Sequence, residues 1–266
     1  MGIDRRKFLK IAGISAMVGV SGKTAFELLA PGDVDALTKN IPLTKATKWG
    51  MVVDMHKMTD DILKSCQNAC HRIHNVPDWG DARIEVKWNW SDTFEHTFPE
   101  QGHEYMDEHL LDKNYFVLCN HCLNPPCCRV CPTTATFKRD DGVVVMDPHR
   151  CIGCRFCMAA CPFGARSFNW GDPRKAPEEL NPEFPENPDY PTRTKGVVEK
   201  CNFCAERIAK GQIPACVEAA NEKVKGSLTF GDLSDHASSV RLALREHYTI
   251  RRKPELGTGP NIFYIV

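Results

Sequence analysis

Cysteine thiolates are soft metal ligands, and this chain concentrates them. Of its 14 cysteines, two stand at 66 and 70, eleven lie between 119 and 204, and the last is at 216. The run Cys151-Ile-Gly-Cys154-Arg-Phe-Cys157-Met-Ala-Ala-Cys161-Pro162 has the spacing CxxCxxCxxxCP. Three closely spaced thiolates can each take one corner of a cuboidal [4Fe–4S] cluster. The fourth lies beyond a helical turn and points away, to a neighbouring cluster. A second run, Cys119-Asn-His-Cys122-Leu-Asn-Pro-Pro-Cys127-Cys128-Arg-Val-Cys131-Pro132, reads CxxCxxxxCxxxCP. Crossed ligation assigns Cys119, Cys122, Cys127 and Cys161 to one cluster, and Cys151, Cys154, Cys157 and Cys131 to its partner.

Two further groups are incomplete. Cys201-Asn-Phe-Cys204 is followed at a distance by Cys216, but the fourth position is Ala220, with Asn221 after it. Upstream, Cys66-Gln-Asn-Ala-Cys70 keeps the fourth cysteine of a quartet and lacks the first two, with Lys57 and Met58 where a first cysteine would stand. Crossing makes Cys70 complete the cluster of Cys201, Cys204 and Cys216. The missing ligands then all belong to one cluster, deleted as a unit. Three [4Fe–4S] clusters use twelve cysteines and leave Cys66 and Cys128. These two are expected to pack as small hydrophobes. The CxxxxC spacing favours Cys127 over Cys128 as ligand.

The rivals are a zinc-stabilised interaction module and a secreted disulfide protein. Neither requires the cysteine–proline runs. His71 makes CxxxCH, not the CxxCH of a c-type haem site. No hydrolytic triad, phosphate loop or dinucleotide fingerprint is evident, so the chain is read as an electron carrier without a substrate-transforming site of its own. Ile152, Phe156, Met158 and Phe163, interleaved with the ligands, are expected to exclude water from the clusters.

The elements that must hold these ligands are short. Strand-like runs Tyr115–Leu118, Val143–Met146 and Val197–Val198 precede cysteine groups, and Met51–Asp54 precedes Cys66. Asp140-Asp-Gly142 is a turn signal, and Arg166–Trp170 reads as a strand. The repeating unit is strand, ligand loop, short helix, strand. It occurs contiguously over 113–170, with two clusters, and split between 48–75 and 196–232, with one. The fold expected is α+β: two ferredoxin-like modules, one inserted in the other, with loop insertions and a C-terminal extension. Residues 171–195 hold six prolines and form an extended loop. Residues 233–266 supply an amphipathic helix around Val240–Arg245 and a final strand in Asn261–Val266. Trp88 and Trp90 are expected against a sheet core, and His121 packs inside a ligand loop.

The 266 residues carry 34 basic and 34 acidic side chains, which gives no support to nucleic-acid binding. Residues 1–30 open with Asp4-Arg-Arg-Lys-Phe-Leu-Lys10 and an apolar run to Val20, too short for a membrane anchor. This is a twin-arginine signal pattern, with Asp4 where Ser or Thr is commoner. No clear small-x-small cleavage site precedes Ala30, which leaves its removal open. Transport in the folded state suits a protein whose clusters are built in the cytoplasm.

Cys119-Asn-His-Cys122 with Pro125-Pro126-Cys127, Cys151-Ile-Gly-Cys154, Pro214-Ala-Cys216-Val-Glu-Ala, Leu228-Thr-Phe-Gly-Asp232 and Glu255-Leu-Gly-Thr258 resemble the polyferredoxin subunits of the dimethyl-sulfoxide-reductase type. The likeness covers residues 48–266. Most members carry four clusters, and this chain departs at Ala220 and before Cys66. Together with the twin-arginine start, the resemblance narrows to extracytoplasmic iron–sulfur subunits of Hdr-like menaquinol oxidoreductase complexes. It implies an integral membrane quinone-interacting subunit and a multihaem cytochrome c as partners, and a peripheral place on the extracytoplasmic (periplasmic) face of the membrane. The alternative within the family is the relay subunit of a molybdopterin oxidoreductase.

Overall fold

A computed structural model describes residues 48–175 and 186–266. The arginine-led segment 1–30 and the middle of the proline-rich stretch lie outside the described residues. In chain order the elements are β1 (Trp49–Asp54), α1 (Asp60–His74), β2 (Asn89–Asp92), α2 (Phe94–Thr97), α3 (Glu108–Leu111), β3 (Tyr115–Leu118), α4 (Pro126–Arg129), β4 (Thr136–Lys138), β5 (Val144–Met146), α5 (Phe156–Ala159), β6 (Ser167–Phe168), β7 (Val198–Glu199), α6 (Ala205–Ile208), α7 (Ala215–Lys223), β8 (Leu228–Asp232), α8 (Ser239–Glu246), β9 (Thr249–Ile250) and β10 (Ile262–Ile265). The fold is α+β.

The largest sheet has the order β8-β1-β10-β9. β1 is apolar on both faces, as a central strand must be, with Met51, Val52 and Val53 all buried. β8 pairs with it antiparallel, Met51 opposite Phe230. β10 lies parallel on its other side, Met51 opposite Ile262. The expected final strand therefore forms, but as part of the sheet built on β1 and not as an appended extension. α8 is capped by Ser238, whose side chain accepts from Arg241 N–H at 3.4 Å. Three two-stranded ribbons complete the strands: β2 with β3, β4 with β5, and β6 with β7.

α1 has firm local reasons to exist. The Thr59 hydroxyl accepts from Ile62 N–H, Asp60 and Asp61 occupy the first turn, and Asn75 ends the helix in the left-handed conformation. Its buried face is Ile62, Leu63, Cys66, Cys70 and His74, and it packs on α7. Thus the helix carrying Cys70 lies against the helix that begins Ala215-Cys216. At 15 residues α1 is the longest described helix, and no described helix is long and apolar enough to cross a membrane.

A buried polar network fixes the end of α1 to β7. Arg193 pairs with Glu199 at 2.6 Å and donates to the carbonyls of His74 and Asn75. Glu199 also accepts from Trp88 Nε1 at 2.9 Å and from Asn169. Trp88 is buried and stacks on His74 with ring centroids 4.4 Å apart, whereas Trp90 in β2 is half-buried.

Candidate iron–sulfur sites

Three quartets of cysteine sulfurs come together, and each draws on two separate stretches of chain. In the first, here site A, Cys119, Cys122, Cys127 and Cys161 border one small cavity with Pro125, Phe163 and Arg166. Cys119 follows β3 directly. His121 takes a positive φ of 41°, which turns the loop so that Cys122 follows, and Cys127 sits in α4. Cys161 arrives from beyond α5. Burial pushes the Cys122 thiol up to about 12, with Cys119 the next largest cause in the same direction.

Site B is bordered by Cys131, Cys151, Cys154 and Cys157, with Met146 and Val198. Gly153, at φ 71°, packs so tightly that an added Cβ would stand 2.5 Å from the Gly196 carbonyl oxygen. Arg155 then takes φ 62° and starts α5. Site B meets solvent. Cys154 is exposed, and Ile152 and Phe156 are 66% and 60% accessible. The expectation that these two would exclude water is therefore wrong. Alternating around a tight left-handed turn, they point outward, while Phe163 is buried and Met158 half-buried.

Site C gathers Cys70 with Cys201, Cys204 and Cys216, all buried. Burial drives the Cys70 thiol well above its ordinary range, and Cys204, Cys201 and Cys216 push it the same way. Phe203 and Cys204 both have positive φ, a loop conformation that sends Phe203 N–H toward the Cys201 sulfur at 3.4 Å. Ala215 N–H approaches the Cys204 sulfur at 3.5 Å. His74 supports Cys70 from the next turn of α1: Nδ1 donates to the Cys70 carbonyl at 2.8 Å, and Nε2 lies 2.8 Å from a Glu206 carboxylate oxygen.

The two remaining cysteines behave differently from the quartets. Cys66 is fully buried and donates its S–H to the Cys216 carbonyl at 3.3 Å, so its sulfur is committed to the backbone. Cys128 is half-buried beside Cys127, and their interaction lowers the Cys127 thiol and raises that of Cys128. Where a fourth site would lie, Met58, Leu63, Cys66, Val217 and Ala220 form continuous apolar packing.

The surroundings of the quartets suit an iron–sulfur cluster, whose sulfides accept hydrogen bonds and whose charge is negative. Several buried donors find no oxygen or nitrogen partner: Asn120 Nδ2 and His121 Nε2 beside site A, and a terminal guanidinium nitrogen of Arg166. The Thr258 hydroxyl, close to Cys122, is likewise buried without a partner. His121 is the neutral Nε2–H tautomer, because Nδ1 accepts from Val144 N–H at 3.1 Å. Its burial and the nearby Lys200 and Arg166 cations hold it well below the ordinary imidazole range. Arg166, Lys200 and His74 carried no sequence signal, since single basic residues outside a ligand motif have many ordinary roles.

Thiol quartets at ferredoxin spacings on an α+β scaffold define an iron–sulfur electron-transfer protein. The family model described as a 4Fe-4S dicluster domain matches residues 113–177. Over 98% of this chain and 97% of the relative, the sequence is 38% identical to the Hdr-like menaquinol oxidoreductase iron-sulfur subunit 1 of Archaeoglobus fulgidus. It is 34% identical to the menaquinone reductase iron-sulfur cluster-binding subunit of Nitratidesulfovibrio vulgaris, covering 82% of this chain and 88% of the relative. The B subunit of Wolinella succinogenes polysulfide reductase is also 34% identical, over 83% of this chain and 95% of its own length. The chain thus belongs to the family of iron–sulfur electron-transfer subunits of menaquinol oxidoreductases and dimethyl-sulfoxide-reductase-type complexes.

Proposed function

We propose that this chain carries three [4Fe–4S] clusters, one each at sites A, B and C, and relays electrons between a quinone-reactive membrane subunit and a multihaem cytochrome c. The clusters, when bound, supply one-electron outer-sphere exchange, and no substrate bond is made or broken on this chain. The observation that carries the reading is the convergence of Cys70 on Cys201, Cys204 and Cys216, from a helix 131 residues earlier in sequence than Cys201. The nested arrangement of two ferredoxin-like modules, 48–75 with 196–232 around 113–170, draws support from the β1–β8 pairing and the α1–α7 packing.

An order follows from which cysteines act on one another. Cys119 of site A acts on Cys201 of site C, and Cys127 of site A acts on Cys157 of site B. Site A is then the middle station. The His121 and Phe203 rings stack at 3.6 Å between A and C. Site B, with its exposed Cys154, is the end nearest solvent. The relatives' names favour exchange of electrons with the menaquinol/menaquinone pool through an integral membrane partner, and the opening arginines favour a peripheral place on the extracytoplasmic face after twin-arginine export. A molybdopterin oxidoreductase as partner is the second reading, favoured by the likeness to the polysulfide reductase subunit. Co-purified subunits separate the two.

Anaerobic purification with iron and sulfide analysis should give roughly twelve irons per chain. Cys70→Ala should lose about four of them and the spectrum of one cluster, leaving the others. Three intact clusters in that variant would sink the assignment of site C. A colourless protein free of acid-labile sulfide would instead indicate structural zinc.

A further inference from the structure

Arg166 precedes β6 and is 5% exposed. It borders site A beside Cys119 and Cys127, and its charge acts on those two thiols and on Cys157 of site B. Cys127 and Cys119 border site A, and Cys157 borders site B. One terminal nitrogen reaches the Met146 sulfur at 3.9 Å, and the other is buried with no oxygen or nitrogen partner. Among the described residues no carboxylate pairs with it. A buried cation without a counter-charge costs several kcal/mol, so burial is tolerable only where negative charge arrives from elsewhere. The anions on offer are the thiolates of two different sites and whatever they hold.

The other buried cation nearby is spent differently. Lys200 Nζ donates to the carbonyls of Val144 and Cys201, so its donors are held by backbone while its charge acts on Cys127 and Cys201. Arg166 has a free donor, a planar fork and a position between two sites. We propose that Arg166 is a shared positive charge at the junction of sites A and B, raising the reduction potential of both by favouring the state that carries one more electron. This rests on the cluster assignment above. The effect reaches site C only weakly, because none of the site C cysteines is among those that Arg166 acts on most.

The test is a mediated redox titration followed by electron paramagnetic resonance, on the full chain purified anaerobically. The Cys70→Ala variant identifies the signal of site C by its loss. In Arg166→Gln, with iron content unchanged, the midpoints of sites A and B should both fall while site C stays. An expected tenfold change in each reduction equilibrium corresponds to about 59 mV for one electron. Unmoved A and B midpoints, or an equal shift of all three, would overturn the proposal. If the glutamine variant loses iron, Arg166→Lys decides. It keeps the charge but draws it back toward the backbone and gives up the fork, so A and B should fall by a smaller amount; midpoints equal to wild type would overturn it. Wild-type protein with fewer than three clusters would fail the site assignment itself, a separate result read from iron content.

Discussion

Cys66 and Cys70 sit one turn apart on the same helix, yet they meet different partners. Cys70 faces three other sulfurs, whereas Cys66 donates to the Cys216 backbone and is held at a thiol pKa of about 12 by burial. Replacing Cys66 by serine should therefore preserve roughly twelve irons per chain, in contrast to the loss at Cys70. The hydroxyl can still donate to the Cys216 carbonyl, so stability should fall by only about 1 kcal/mol, read as a small drop in thermal midpoint. Gly153 has no such tolerance. Its φ of 71° and the carbonyl of Gly196 leave no room for a Cβ. Gly153→Ala should cost about 1–3 kcal/mol locally and release the iron of site B first, measured as roughly eight irons retained.

At the scale of elements, a capped helix stands ahead of Cys70 where the other cysteine groups have a loop. Elsewhere in the chain a cysteine loop precedes a helix of four residues, as before α5 and α6. Before Cys70 the helix instead starts at Asp60, capped by Thr59, and the space is filled by Leu63, Cys66 and Met58 against Val217 and Ala220. Ala220 is fully buried where α7 meets α1. Ala220→Leu would overpack that contact at a cost of about 1–3 kcal/mol. Because α1 carries Cys70 and α7 carries Cys216, the strain should appear as selective loss of the site C signal. Full retention of that signal would show that the two helices can separate without moving the ligands.

For the whole molecule, distant stretches of chain are tied together twice over, by the cysteine quartets and by buried polar groups. The Arg193–Glu199 pair joins β7 to the end of α1, and both partners are almost wholly inaccessible. Removing one member leaves a buried charge unpaired, which costs about 3–5 kcal/mol. Arg193→Met should thus lower the thermal midpoint sharply and expose the 186–200 region to protease. Cys154 of site B is exposed, whereas the four cysteines of site C are all buried. Among the described cysteines Cys154 alone is exposed, flanked by the accessible apolar side chains of Ile152 and Phe156.

Spacing alone determined a great deal, because a cubane demands thiolates at set intervals and a turn-preceded fourth ligand. The four cysteine groups and the short strands ahead of them were legible from residues such as Cys70, Cys119 and Pro162. The mixed α+β class followed from those short alternating runs. Tertiary structure decided what no local pattern encodes. It set β10 beside β1 in parallel, turned Ile152 and Phe156 to solvent, and placed Arg166 between two sites. Strand partnership, exposure and the surroundings of a single arginine depend on contacts between segments far apart in the chain. A ligand motif is fixed by chemistry within a dozen residues, whereas the field around it is assembled only when the chain closes on itself.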